Sequence, residues 1–116
     1  QTDKQGGKYT LVGGKVEVEE TPIEALIRES REESGITLLP VDLELVHTLY
    51  KEKGPERRIS LYFRATHYEG KARSKEPEKF KKVGWFPWNA LPEKLSPTTA
   101  HVLRHYRSGS QYSQYL

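Results

Sequence analysis

The sequence predicts a single α/β domain, on three observations. A helix with signals at both ends occupies residues 22–34. Two runs rich in β-branched and aromatic residues, 41–51 and 57–68, read as strands, and a second helix is signalled from Ser96 or Thr98 to about Arg107. The 116 residues fit one domain with little room for a second, so 1–116 is taken as one unit.

Taken in order, residues 8–12 are a short strand candidate that ends in Gly13-Gly14, and Val16 and Val18 alternate with acids as if the chain stays extended. Thr21-Pro22-Ile23-Glu24 combines a capping box with proline at the first helical position. Gly35 is placed to end that helix in a left-handed conformation. Gly54-Pro55 between the two strand-like runs predicts a hairpin. Residues 69–82 are polar and basic and read as a loop. Residues 83–88 read as a further strand, closed by Pro87 and the Leu91-Pro92 turn, and residues 108–116 read as a polar, tyrosine-rich tail.

Composition narrows the function classes. Charged residues make up 30% of the chain and no apolar run approaches a membrane span, so a soluble protein without membrane partners is expected. No segment resembles a targeting peptide, and the absence of cysteine suits a cytoplasmic location. Without thiolates, a metal must be held by oxygen or by the four histidines. His101 and His105 lie four apart, but a packed or solvated helical face explains them better than a metal does. The chain has no methionine and begins Gln1-Thr2-Asp3, which reads as the inside of a longer protein. Charge is segregated: residues 14–35 carry seven acids and three bases, and residues 51–82 carry eleven bases and five acids. An acidic patch beside a basic one suits a metal cluster next to an anionic substrate. The overall charge of +3 is too mild to argue for nucleic-acid binding.

On a helical wheel Ile23, Leu26, Ile27 and Ser30 form a core stripe, while Glu29, Glu32 and Glu33 share a neighbouring face. Like charges at that spacing repel by a few tenths of a kcal/mol per pair, roughly, in an isolated helix. A hard divalent cation would reverse the penalty by taking the carboxylates as oxygen ligands. A solvated acidic face is the usual explanation of such glutamates, and the helix alone does not decide between the two.

The wider spacing does. Gly14, Glu20, Arg28, Glu29, Glu32, Glu33, Gly35 and Ile36 stand where the box of the Nudix hydrolases has its fixed residues, so the segment 14–36 resembles the Nudix box. Ser30 departs from the apolar residue usual at its place, although a serine there fits a tight contact and can bond back to the preceding turn. The likeness extends to Tyr9-Thr-Leu-Val-Gly-Gly14, with Val12 where proline is common, and to Trp85-Phe86-Pro87 followed by Leu91-Pro92. Glu76-Pro77-Glu78-Lys79 resembles a loop of the nucleoside-triphosphate-cleaving branch, with Phe80 departing from its usual cysteine.

The resemblance implies an α/β/α sandwich around a mixed β-sheet and a MutT-like enzyme that splits a pyrophosphate linkage with Mg²⁺, or Mn²⁺. It implies that Glu29, Glu32 and Glu33, helped by the Gly14 carbonyl, hold the metal. Arg28 would orient these glutamates, and Glu20 would support the loop or reach the metal through water. Glu29, Glu32 and Arg28 are thus the catalytic candidates from the box. The general base is a box glutamate in some relatives and a loop acid in others, with Glu78 the candidate here and Glu76 next. Arg57, Arg58 and Arg64 are placed to contact phosphates, but alternation puts Arg58 and Arg64 on one face and Arg57 on the other. Trp88 is a candidate for stacking on a base.

A nucleoside triphosphate, cleaved to monophosphate and pyrophosphate, is the favoured substrate. The alternatives are nucleoside diphosphate sugars, dinucleoside polyphosphates and RNA 5′ ends. A non-catalytic nucleotide-binding module is the alternative class, against which the complete glutamate set argues. Relatives carry a full strand and loop before the double glycine, and only thirteen residues precede Gly14, so the first strand is expected to be missing. An open sheet edge invites pairing, and a homodimer is an expected partner state.

Overall fold

The computed structural model describes residues 8–75 and 83–116. Helix α1 spans Pro22–Ser34, as its end signals require. The Thr21 side chain accepts from the Glu24 N–H at 3.2 Å and the Glu24 carboxylate accepts from the Thr21 N–H at 2.9 Å. Gly35 closes the helix at φ 74° and its N–H returns to the Arg31 carbonyl. Ala25, Ser30, Glu33 and Ser34 are its buried residues, while Ile23, Leu26 and Ile27 are half-buried. A hydroxyl bond back to the preceding turn is made by Ser34, to the Ser30 carbonyl at 2.6 Å.

Strands β1 (Leu43–Lys53) and β2 (Glu56–Ala65) form an antiparallel hairpin. Lys53 pairs with Glu56 across a two-residue turn with Gly54 at φ 59°. Proline at the second turn position cannot take a positive φ, so the turn has the II′ pattern rather than I′. A register irregularity between Leu45 and His47 interrupts β1. Helix α2 (Pro97–Arg107) is capped by Ser96, whose side chain accepts from the Thr99 N–H, and strand β3 (Tyr112–Tyr115) follows. The sheet order is β2-β1-β3, with β3 parallel to β1, so this is a mixed sheet with helices. Leu49 of β1 and Val102 of α2 are its most deeply buried apolar side chains, each contributing about 1.5–3 kcal/mol by burial. Ala25 of α1 and Ile36 and Leu38 of the segment after it are also buried.

Three expectations change. Residues 83–88 form no strand: Pro87 supplies no N–H, Trp88–Ala90 turns as a short 3₁₀ segment, Trp85 stacks on Tyr68, and Phe86 meets Tyr9 edge to face. Residues 8–12 reduce to a single bridge, in which the Tyr9 N–H meets the Lys94 carbonyl and the Ser96 N–H meets the Tyr9 carbonyl. The tail is not irregular, because its tyrosines and Ser113 build β3 on the edge of β1. Among the described residues no helix is long and apolar enough to cross a membrane.

Polar contacts join β1 to the segment after α2. His47, 1% exposed, meets the Ser110 carbonyl through Nδ1 at 2.8 Å and the Ser113 hydroxyl through Nε2 at 2.7 Å. A carbonyl only accepts, so in the neutral ring Nδ1 carries the proton and Nε2 accepts from Ser113. His105 lies 6.5 Å from His47 and 4.2 Å from His101 between ring centroids. Among the described residues, the buried His101 Nε2 has no hydrogen-bond partner. Its pKa is lowered, first by burial and then by the positive character of His105, Arg104 and His47.

A histidine whose folded pKa lies below its unfolded value holds fewer protons when folded, so stability falls as pH drops below about 6.5. We expect the melting temperature to be flat above that pH and to decline below it. In His101→Leu the decline should be shallower, as read by calorimetry from pH 8 to 5. An unchanged slope in the variant would remove His101 as the cause.

Candidate functional site

Helix α1 and the segment entering it meet around one guanidinium. Arg28 Nε donates to Glu20 Oε2 at 2.7 Å and Arg28 Nη2 donates to Glu20 Oε1 at 3.0 Å, a two-pronged pair. The same Arg28 reaches Glu29 at 2.9 Å and Glu32 at 3.2 Å through Nη1, and Glu17 at 3.8 Å. The hydrogen bond to Glu20 is the main reason the Arg28 pKa is raised further. Glu20 is held below its usual carboxylate range by Arg28 and by the Glu17 N–H. The turn that delivers Glu20 includes Glu19 at φ 69°, a conformation side chains rarely adopt.

Gly14 has a steric reason to be glycine. A Cβ there would lie 2.7 Å from the Cδ and the Oε1 of Glu29. The backbone of Gly14 therefore lies directly against this carboxylate. Gly13 differs, since among the described residues nothing comes within 4 Å of a Cβ placed on it.

The donor set fits a hard cation, because every candidate ligand is an oxygen. Glu29 and Glu32 each come within 3.2 Å of Arg28 Nη1, so two carboxylates converge on a point already filled by positive charge. Glu33 differs in exposure: it is 4% exposed, whereas the Glu32 side chain is 53% exposed. Among the described residues no three acid or histidine side chains are gathered closely enough to enclose an ion. Helical spacing puts the three glutamates on adjoining faces, and the contacts of Arg28 determine where two of them point.

The segment after β2 is fixed to the C-terminal end of α1. Thr37 and Glu69 exchange backbone hydrogen bonds at 2.9 and 3.1 Å, the Arg73 N–H donates to the Ser34 carbonyl at 3.0 Å, and the Lys75 N–H donates to the Glu33 carbonyl at 3.1 Å. Gly70, at φ 95°, lies so close that a Cβ would be 2.7 Å from the Gly35 carbonyl oxygen. Beside this junction is a cleft of about 440 Å³. Ala72, Arg73 and Ser74 line one part of it, and Tyr9, Val83, Gly84 and Phe86 line the rest. Tyr9 and Phe86 meet edge to face at 5.1 Å. Arg73 and Ser74 escaped the sequence reading because a polar loop has no period. The excess of bases in residues 51–82 was their only signal.

The expected substrate contacts are dispersed. Arg58 pairs with Glu56 and lines a small depression with Lys51 and Lys53 near the hairpin end. Arg64 lies six residues along the same strand, roughly 20 Å away. It pairs with Glu44 at 2.9 Å and touches the Tyr106 hydroxyl at 3.4 Å. Trp88 stacks on Tyr106 at 5.8 Å, with the Arg107 guanidinium 5.2 Å over its ring. Arg64 and Trp88 thus meet through Tyr106, while Arg58 stands apart from both. Glu76 and Glu78 lie outside the described residues.

Comparison with known proteins identifies the family. The model of the NUDIX domain matches residues 1–106. The chain is 41% identical over 70 residues to the 8-oxo-dGTP diphosphatase of Escherichia coli (strain K12), a match covering 60% of this chain and 52% of that protein. It is 29% identical over 91 residues to a nucleoside triphosphate pyrophosphatase/Nudix hydrolase fusion protein of Bifidobacterium longum (strain NCC 2705), covering 78% of this chain and 18% of that one. The matched region therefore spans about half of the first relative and less than a fifth of the second. The crystal structure of a MutT NUDIX hydrolase from Burkholderia pseudomallei superposes with a TM-score of 0.78 at 29% identity, covering 89% of this chain and 82% of that one. Matched by the domain model over most of its length and by a solved MutT relative in its fold, the chain belongs to the Nudix family.

Proposed function

We propose that the protein is a Mg²⁺-dependent pyrophosphohydrolase that converts a nucleoside triphosphate to its monophosphate and pyrophosphate. The observation that carries this reading is the convergence of Glu29 and Glu32 on one cationic point against the bare backbone of Gly14. Glu29, Glu32 and Glu33, with the Gly14 carbonyl, would hold Mg²⁺, or Mn²⁺ in its place. The ion would neutralise the diphosphate and activate water.

The chain's own residues prepare that site. Glu20 anchors Arg28, and Arg28 holds Glu29 and Glu32 in register, so three like charges are kept together before substrate arrives. Water oxygen would bond to the α-phosphorus, the bond from that phosphorus to the bridging oxygen would break, and pyrophosphate would leave. Glu78 is our choice to accept the water proton, with Glu32 as the box alternative. The name of the Escherichia coli relative makes an oxidised guanine triphosphate the first substrate to try. A cytoplasmic setting goes with this reading.

Three outcomes test it. Chelation should abolish turnover, and Glu33→Gln should remove most of it without lowering the melting temperature. Turnover that survives EDTA would sink the metal reading. In ¹⁸O-labelled water the label should appear in the nucleoside monophosphate, and label confined to free phosphate would overturn the triphosphate reading. Gly14→Ala should slow hydrolysis on the order of 10²-fold, because it displaces Glu29, while Gly13→Ala should be near wild type. Equal rates in the two variants would refute the steric role of Gly14.

A further inference from the structure

We propose that Lys71, Arg73 and Lys75 form the subsite for the terminal phosphates of the substrate, the pair that departs as pyrophosphate. This rests on the polyphosphate-hydrolysing reading above and assigns the triphosphate tail to a segment that no comparison identifies.

The argument begins with position. Two of these cations are bonded through their own N–H groups to the last turn of α1, Arg73 to the Ser34 carbonyl and Lys75 to the Glu33 carbonyl. Their side chains therefore start within one residue's reach of the box glutamates. Lys75 lies over Gly35, its Cδ 3.2 Å from where a Cβ would stand. The close approach of Gly70 to the Gly35 carbonyl leaves the junction little freedom to slide. The three cations occur at every second residue of this segment.

The second argument is availability. All three residues are exposed, and among the described residues none forms an ion pair. The hairpin arginines differ: Arg57 pairs with Glu52, Arg58 with Glu56 and Arg64 with Glu44. Arg64 also contacts Tyr106 of α2, while the box lies around α1. A lysine or arginine near a helix C-terminus gains from the helix dipole, which accounts for one such residue within the last turn. It does not account for three exposed cations that form no ion pair among the described residues, with Arg73 lining an open cleft of about 440 Å³. A polyphosphate is complementary to that arrangement, because each phosphate offers several acceptors to donors that have no acceptor of their own.

Inorganic pyrophosphate is the probe, as inhibitor of the full chain and as ligand in an NMR titration without metal. Lys71→Gln, Arg73→Gln and Lys75→Gln should each weaken pyrophosphate inhibition by about fivefold, as removal of one nearby charge does in water. They should raise KM for a triphosphate similarly, leave kcat within about twofold, and leave inhibition by nucleoside monophosphate unchanged. Arg31→Gln, on the exposed side of α1, should have no effect. In the titration the amide signals of residues 71–75 should move, and this holds even if the enzyme proves to cleave another linkage, so the subsite and the reaction are tested separately. Unchanged pyrophosphate inhibition in the three variants, or a larger loss in Arg58→Gln, would overturn the assignment. A loss of melting temperature with KM unchanged would show that the cations only stabilise the helix end.

Discussion

Four carboxylates lie between 2.7 and 3.8 Å from one guanidinium, and the rest of the acidic region is arranged around that contact. Glu17 and Glu20 come from the irregular segment before α1, and Glu29 and Glu32 come from the helix itself. Without Arg28 these groups would repel, and the segment from Gly14 to Thr21 would lose its main attachment to the helix. A lysine could not replace it, since only a planar fork can grip both oxygens of Glu20 while offering a further nitrogen to Glu29 and Glu32. The cation thus sets the position of the Gly14 backbone as well as the direction of the glutamates.

Local chemistry was legible in the sequence. Thr21, Pro22, Glu24 and Gly35 act through bonds to neighbours a few residues away, so α1 was readable to the residue. Ser96 did the same for α2, and Gly54-Pro55 for the hairpin. Strand β3 was not readable. It is four residues long, and its pairing depends on β1, which the tail sequence does not encode. The segment 83–88 misled for the opposite reason: its aromatic residues look strand-like, but they are used in ring contacts with Tyr9 and Tyr68.

The same division holds for the candidate site. The box spacing put Arg28 among the right acids, because residues on one helix have fixed relations. It did not show that Glu33 is buried while Glu32 faces solvent, a difference that depends on the packing around the helix end. Nor did it show which of the many bases would approach the acids. Residues 51–82 hold eleven of them, and those tied to the helix end by backbone bonds lie in 69–75, not in the hairpin.

The mixed sheet also bears on the order of assembly. The hairpin of β1 and β2 closes over a two-residue turn, so it can form from its own sequence at little entropic cost. The parallel edge between β1 and β3 joins segments from opposite halves of the chain, and it buries His47 against Ser110 and Ser113 only when it closes. Long-range parallel pairing is slow to form. Before it closes, the β1 edge is free to pair with the wrong strand. The refolding yield of this protein should therefore depend on concentration more than the short, local hairpin alone would suggest.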